Sequence, residues 1–368
     1  MKIICSQSEL SKAVNIVSKA VPTRTTMTIL ECILIDASKN VIRLVANDTE
    51  IGIETQIDGT IEEPGIVALD AKVFSEIVRK LPDNMVIINT DSDFKTLIKC
   101  EKANFNIIGK PGDDFSYLPE LPKDDAIVIS QFSLREIIHQ TIFCTSDTES
   151  NKIMTGELFR VDGGKLKVVA LDGHRIAIRE IELKEEYASR DVIVPKKTLN
   201  EVSKVIGGGL DDDVNIYITE NHITFVFDRT TVVSRLIDGE YFRVEQMLSS
   251  VYDTRIKISK SELLGCLDRS TLLVKEGDKK PIIMNITDEG MHLVMNSFIG
   301  SLNEEIDISK EGADILIGFN PKFFIDALRV IEDDEITIYF VNSKAPAFIK
   351  NDNESYIYMI LPVNVKSE

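Results

Sequence analysis

From Pro195 to Ile218 the order of apolar and polar positions predicts a helix, a stop and a strand. Leu199, Val202, Val205 and Ile206 fall on one helical face. Gly207–Gly209 and an acidic turn follow, and then Val214, Ile216 and Ile218 alternate as a strand does. The plan recurs from Asp70 to Ile88, with Phe74, Ile77, Val78 and Leu81 inward, a Pro82–Asp83 turn and a strand over Val86–Ile88. It recurs again from Asn320 to Tyr339, with Phe324, Ala327, Leu328 and Ile331, a turn at Asp333–Asp334 and a strand over Ile336–Ile338. In each copy a lysine opens the polar face and a second base follows seven residues later: Lys72 and Arg79, Lys197 and Lys204, Lys322 and Arg329. Two helical turns return i and i+7 to one side, so each predicted helix carries a basic edge away from its apolar face. The three lysines stand 125 residues apart.

A second helix opens each copy, preceded by a short strand: IICSQSELSKAV, IVISQFSLREII and IKISKSELLGCL. Ser6 with Glu9, Ser133 with Glu136 and Ser259 with Glu262 have the spacing of a capping box. Strands are expected over Ile29–Ile35, Val41–Ala46 and Ile51–Ile57 in the first copy. The second has Gly156–Val161, Leu166–Leu171 and Ile176–Leu183, and the third Ile282–Ile286, Met291–Asn296 and Ser301–Ile308. Linkers are expected over Lys110–Asp125, which holds three prolines, and over Asp238–Asp253. The expected fold is therefore α+β: three repeated domains, 1–124, 125–252 and 253–368, each with two helices packed on sheets.

Composition narrows the function. A net charge of −18 argues against a chain that is basic all over, yet the six predicted helices taken together are net basic. Segregated cations on repeated helices of an acidic chain point to a concave basic surface facing a polyanion. With helices inside and sheets outside, twelve helices from two chains at ~9 Å spacing would enclose a hole about 35 Å across, wide enough for duplex DNA. Six helices from one chain would leave roughly 17 Å, too little. Two copies closing on a two-fold axis leave no open end. The five scattered cysteines lack a CxxC and read as small core residues of a reducing cytoplasm. No leader and no apolar run of membrane length is expected. The four histidines have no ligand spacing, so neither a metal nor a cofactor is expected.

These stretches, with ALDGHRIA, VIVPKKTL, LIDGEY, IGFNPKFF and the closing YMILPVNV, resemble the bacterial DNA sliding clamps, the β subunits of DNA polymerase III, over the whole chain. The resemblance implies a homodimeric ring, each chain forming half of it, loaded on double-stranded DNA by a clamp loader. Such a ring tethers replicative and other polymerases and performs no chemistry. It implies a pocket for partner peptides made by Met154, Leu171, Gly173, His174, Arg175, Ile176, Phe242 and Met247, together with Asn320, Phe323, Met359, Leu361, Pro362 and Val363. Met, Leu, Ile and Phe around a few polar groups suit a linear motif with apolar anchors. The family carries a threonine and a proline where this sequence has Leu171 and Phe242, and an arginine where it has Asn364. The resemblance also implies a ring seam pairing Phe105 and Ile107 with Leu272 and Leu273. It places Arg24 beside the duplex. Lys12, Lys19, Lys72, Arg79, Arg135, Lys196, Lys197, Lys204, Lys260, Lys322 and Arg329 join it on the helix pattern, as phosphate contacts without base readout.

Asp172-Gly173-His174-Arg175 admits other readings. His174 near an aspartate could serve a hydrolase as general base, but Asp172 aligns with Asp48, 124 residues earlier, which favours a strand turn. A protein scaffold with incidental basic helices is the third reading. Gly207–Gly209 follows a helix instead of opening one, so it is a stop and no phosphate loop.

Overall fold

A computed structural model describes residues 1–115, 118, 125–148, 150–248, 251–274 and 280–363. Among them are six α-helices: α1 Gln7–Val17, α2 Ala71–Lys80, α3 Gln131–His139, α4 Lys196–Val205, α5 Lys260–Thr271 and α6 Pro321–Val330. The three predicted helix–stop–strand blocks are present, each helix starting one residue inside the predicted range. Helix α2 shows why they form. The Asp70 carboxylate accepts from Val73 N at 2.8 Å, Phe74, Ile77 and Val78 are buried, and Arg79 and Lys80 sit in the last turn. Bases there complement the helix dipole. Helix α6 starts with the Asn320 side chain accepting from Lys322 N and with Pro321 in the first turn.

The capping serines are Ser6 and Ser259, which accept from Glu9 N at 3.2 Å and Glu262 N at 3.4 Å. Ser133 is not one of them. The cap of helix α3 lies three residues earlier: Ser130 Oγ accepts from Ser133 N at 3.1 Å, and the predicted cap lies inside the helix. Gln131 is held by its neighbours: its backbone N donates to Asp212 O, and its Oε1 accepts from Gly207 N at 2.7 Å and Gly208 N at 3.3 Å. The glycine stop after α4 thus has its amides satisfied from α3, with Gly208 at φ +82.

The chain forms two compact units, Met1–Leu134 with Lys197–Leu236, and Arg135–Lys196 with Ile237–Glu368. The first holds a five-stranded sheet and an eight-stranded sheet. The larger sheet joins strands from two sequence repeats, because Ile51–Ile57 pairs antiparallel with Thr230–Arg235. The second unit holds a seven-stranded and a four-stranded sheet, and in the larger one Arg175–Pro195 pairs with Tyr356–Ile360. An edge strand left bare is a template for unwanted pairing, and joining the edges of successive repeats removes that exposure. The middle repeat is consequently divided between the two units.

Two expectations change here. The strands predicted separately at Gly156–Val161 and Leu166–Leu171 are one, Gly156–Leu171, paired with Arg175–Pro195 on both sides of a register shift around Gly163. Asp162-Gly163-Gly164 reads as a turn, but the opposing strand runs on past it and the surplus residues form an irregularity with Gly163 at φ +58. Parts of the expected linkers also belong to the cores, while 116–117, 119–124 and 249–250 lie outside the described residues. Phe115 is buried against Cys32, Leu34, Val45 and Ala68. Tyr241 and Val244 are buried with Leu158, Leu171, Ile176 and Met359. All five cysteines are buried and free, as expected.

One buried group runs against core logic. Glu157 is fully buried and neither carboxyl oxygen has a hydrogen-bond partner among the described residues. The Thr141 hydroxyl beside it already donates to Ile137 O at 2.7 Å. Burial raises the Glu157 pKa well above its ordinary 4.5. The acid is therefore neutral in the folded chain at pH values where the unfolded chain has lost the proton, so it weakens folding increasingly as pH rises above 4.5. Glu157→Gln should stabilise the protein by about 1–3 kcal/mol at pH 7, with the difference shrinking toward pH 4. Urea denaturation of both proteins at the two pH values, followed by circular dichroism, measures it; a gain independent of pH would contradict this account.

Candidate functional site

The second unit gathers the residues of the expected peptide pocket around the turn of its long hairpin. Asp172 makes that turn, as its alignment with Asp48 predicts. Its Oδ1 accepts from His174 N at 3.0 Å and Arg175 N at 3.2 Å, and Gly173 takes φ +86. Asp48 Oδ1 does the same for Glu50 N and Ile51 N in the first repeat, and Ser297 Oγ for Ile299 N and Gly300 N in the third. The turn is one device used three times, with different side chains at its tip.

At the middle turn the tip residues are His174 and Arg175. His174 is exposed and its ring lies 5.9 Å from that of Phe323. No acid–base pair forms around it, because Asp172 Oδ1 is taken by backbone amides and its Oδ2 by Arg175. Arg175 turns inward and is almost buried. Its Nε donates to Asp172 Oδ2 at 2.9 Å, Nη1 to Asp326 Oδ2 at 2.7 Å and Nη2 to Phe143 O at 2.8 Å. Its guanidinium also lies 4.6 Å from the Phe323 ring centre and 5.4 Å from that of Phe143. Burial disfavours its charge, yet hydrogen bonds to Asp326 and Asp172 leave its pKa raised. Arg175 is thus an anchor linking the turn to α6 and to the segment after α3. Its partners Asp326 and Phe143 were not predicted; a lone aspartate amid Phe323, Phe324, Ile325, Ala327 and Leu328 was the available signal.

The strand after this turn extends the surface. Ile176 pairs with Met359, Leu361 N donates to His174 O at 2.9 Å, and Val363 N donates to Gly318 O at 2.8 Å. Leu171, Ile176 and Met359 are buried and form the floor, with Met154 and Phe242 packed on them. Met247, Leu361 and Val363 are exposed, while Pro362, Asn320 and Phe323 are half-buried. Asn364 lies outside the described residues.

The predicted basic positions differ in their company. Lys72 and Arg79, Lys197 and Lys204, and Lys322 and Arg329 are all exposed, as the i, i+7 spacing requires. Among the described residues no carboxylate lies within 4.0 Å of Lys72, Arg135, Lys322, Lys19 or the exposed loop residue Arg24. Others are paired: Lys12 with Glu9 at 3.7 Å, Arg79 with Glu76, Lys197 with Asp48, Lys204 with Glu201 at 2.8 Å, and Arg329 with Asp268 at 3.1 Å. The pairs of Lys12, Arg79 and Arg329 are exposed on both sides and open to exchange in water, whereas Asp48 beneath Lys197 and Glu201 beneath Lys204 are largely covered. Lys196 lies 2.6 Å from Asp147. Lys260 is a structural cation: its Nζ donates to Ile331 O at 2.8 Å and Glu332 O at 3.3 Å, just past the end of α6.

At the expected seam, Phe105 and Ile107 lie on Ala103–Ile108, an outer strand of the five-stranded sheet. Ile107 is half-buried, and its neighbour Ile108, not anticipated, is 79% exposed, because alternate residues face opposite ways. Leu272 is 78% exposed after α5, while Leu273 packs on the core. The nearby third turn presents Phe298 at 96% exposure beside Ile299, two apolar residues that the sequence reading missed.

Removing the Arg175 charge leaves Asp172 and Asp326 without their shared partner. Arg175→Met should cost about 3–5 kcal/mol in urea denaturation, and Arg175→Lys, which lacks the planar fork, should recover only part of it. A loss under 1 kcal/mol for Arg175→Met would show that the anchor contributes little.

Three family descriptions match the chain in succession: DNA polymerase III beta subunit N-terminal domain over 1–119, central domain over 128–242 and C-terminal domain over 245–364. The chain is 34% identical to the beta sliding clamp of Staphylococcus epidermidis over 94% of each chain. Among solved structures, a DNA polymerase III beta subunit structure from Eubacterium rectale is 68% identical, with a TM-score of 0.97 over 99% of this chain and 100% of that one. The sliding clamp of Bacillus subtilis is 35% identical, with a TM-score of 0.96 over 99% of both. With three consecutive domains matched and the fold shared throughout, the chain belongs to the bacterial DNA polymerase III beta subunits, the non-catalytic sliding clamps of DNA replication.

Proposed function

We propose that two copies of this chain close into a ring around duplex DNA and that the surface around the 172–175 turn binds peptides of polymerases and of a clamp loader. The proposed domains are 1–124, 125–252 and 253–368, and the proposed compartment is the cytoplasm, which five buried free thiols suit. The observation that carries the reading is the exposed basic pair repeated on α2, α4 and α6 in an acidic chain. Three equal-spaced cationic edges would bear on phosphates around a duplex without reading bases. That makes binding weak, salt-sensitive and compatible with sliding. Helices with few aromatics lack the stacking platform that single strands require.

Seam closure is supported by two bare edges. Ala103–Ile108 ends one sheet, and Ser301–Ile306 ends the four-stranded sheet. Apolar side chains stand near each edge: Phe105 and Ile108 at the first, Leu272, Phe298 and Ile299 at the second. A second copy would bury both edges and their apolar side chains together.

Two measurements test this. On nicked circular DNA loaded with the protein, retention should be lost on linearisation. Charge reversal of Lys72, Lys197 and Lys322 together should shorten retention on circles at least severalfold; equal retention by wild type and variant would remove the basic edges from the account. In sedimentation, the wild type should run as a dimer and Leu272→Asp should shift it toward monomer; a monomeric wild type at micromolar concentration would overturn the ring.

A further inference from the structure

The second unit contains a cavity of about 530 Å³ beside the proposed peptide surface, under the segment 238–243. Its apolar wall is Leu158, Ile193, Tyr241 and Phe242. Leu158, Ile193 and Tyr241 belong to the hydrophobic cluster that also contains Leu171, Ile176 and Met359, and Phe242 packs against it, so the cavity and the floor of the proposed peptide surface are built on one cluster. Phe242 lines both.

The rim is charged, and its charges do not cancel. Arg160 is fully engaged: Nε donates to Asp191 Oδ1 at 3.0 Å, Nη2 to Asp191 Oδ2 at 2.8 Å, and Nη1 to Glu245 Oε1 at 2.7 Å. Arg243 faces Glu240 at 3.3 Å. Asp238 is exposed, lines the cavity, and has no base within 4.0 Å among the described residues. The lining residues carry three carboxylates, Asp191, Asp238 and Glu240, against two guanidiniums, Arg160 and Arg243, while Glu245 also has Lys167 at 3.7 Å, so the carboxylate left without a base is Asp238, above an apolar wall.

That combination suits a long basic side chain, whose methylene stem packs on apolar surface while its head stays at the wet, charged rim. We infer that the cavity takes a lysine or arginine flanking the apolar anchors of a bound peptide, with its charge at Asp238. The inference rests on the peptide-pocket reading above and adds to it a determinant of partner choice. An acidic side chain there would meet Asp238 and Glu240; a short neutral one would leave the cavity empty.

The probe is a fluorescein-labelled nonapeptide with two leucines and a phenylalanine in a serine–glutamine background, titrated against the full-length protein by anisotropy. Four derivatives carry Lys or Glu added at one end or the other. Lys at one end should tighten binding about three- to fivefold, Lys at the other end should not, and Glu at the favoured end should weaken it. Asp238→Asn should bind the parent peptide as the wild type does and lose the lysine gain. A gain equal at both ends, or one that survives Asp238→Asn, would mean general attraction to an acidic protein and would overturn the inference. A parent peptide that binds with no lysine effect overturns the cavity alone, whereas no saturable binding of any peptide overturns the pocket reading with it.

Discussion

A β-sheet must do something with its outermost strands, whose amides and carbonyls on one side lack partners, and this chain meets that constraint mainly by joining its repeats edge to edge. Ile51–Ile57 finds Thr230–Arg235, and Arg175–Pro195 finds Tyr356–Ile360. The joined strands give sheets of eight and seven. A unit of compact structure therefore does not coincide with a unit of sequence. The middle repeat contributes to both units because each of its sheet edges pairs with a different neighbour.

The same economy governs the turns. A carboxylate or hydroxyl accepting two successive amides makes the turns at Asp48, Asp172 and Ser297. Once that frame is set, the tip residues are free to diverge. The first tip is polar, the second carries His174 and Arg175, and the third carries Phe298 and Ile299. Asp172 beside His174 imitates an acid–base pair while its oxygens are occupied by structural bonds. Arg175, folded inward to Asp326 and Phe143, fixes the turn to α6 and to the segment after α3.

Charge follows a similar division. The chain as a whole is acidic, and its helices keep bases at two fixed positions on the outward face. Several of these bases pair with nearby carboxylates, and where both partners are solvent-exposed, as for Lys12, Arg79 and Arg329, such pairs hold weakly. Leu171 belongs to one hydrophobic cluster with Ile176 and Met359, and Phe242 packs against it.

Periodicity and spacing determined much of this by themselves: six helices, their buried faces, the exposed basic edges and the turn at Asp172. Each of these rests on contacts a few residues long, where helical or strand geometry alone says which way a side chain points. Spacing could not say that Asp162-Gly163-Gly164 would be carried within a long strand, since that depends on the strand opposite. Nor could it place the cap of α3 at Ser130, bury Tyr241 in an expected linker, leave Ile108 outside, or draw Arg175 to Asp326 across 151 residues. Those outcomes depend on which distant segments come to lie side by side, and only the tertiary structure decided them.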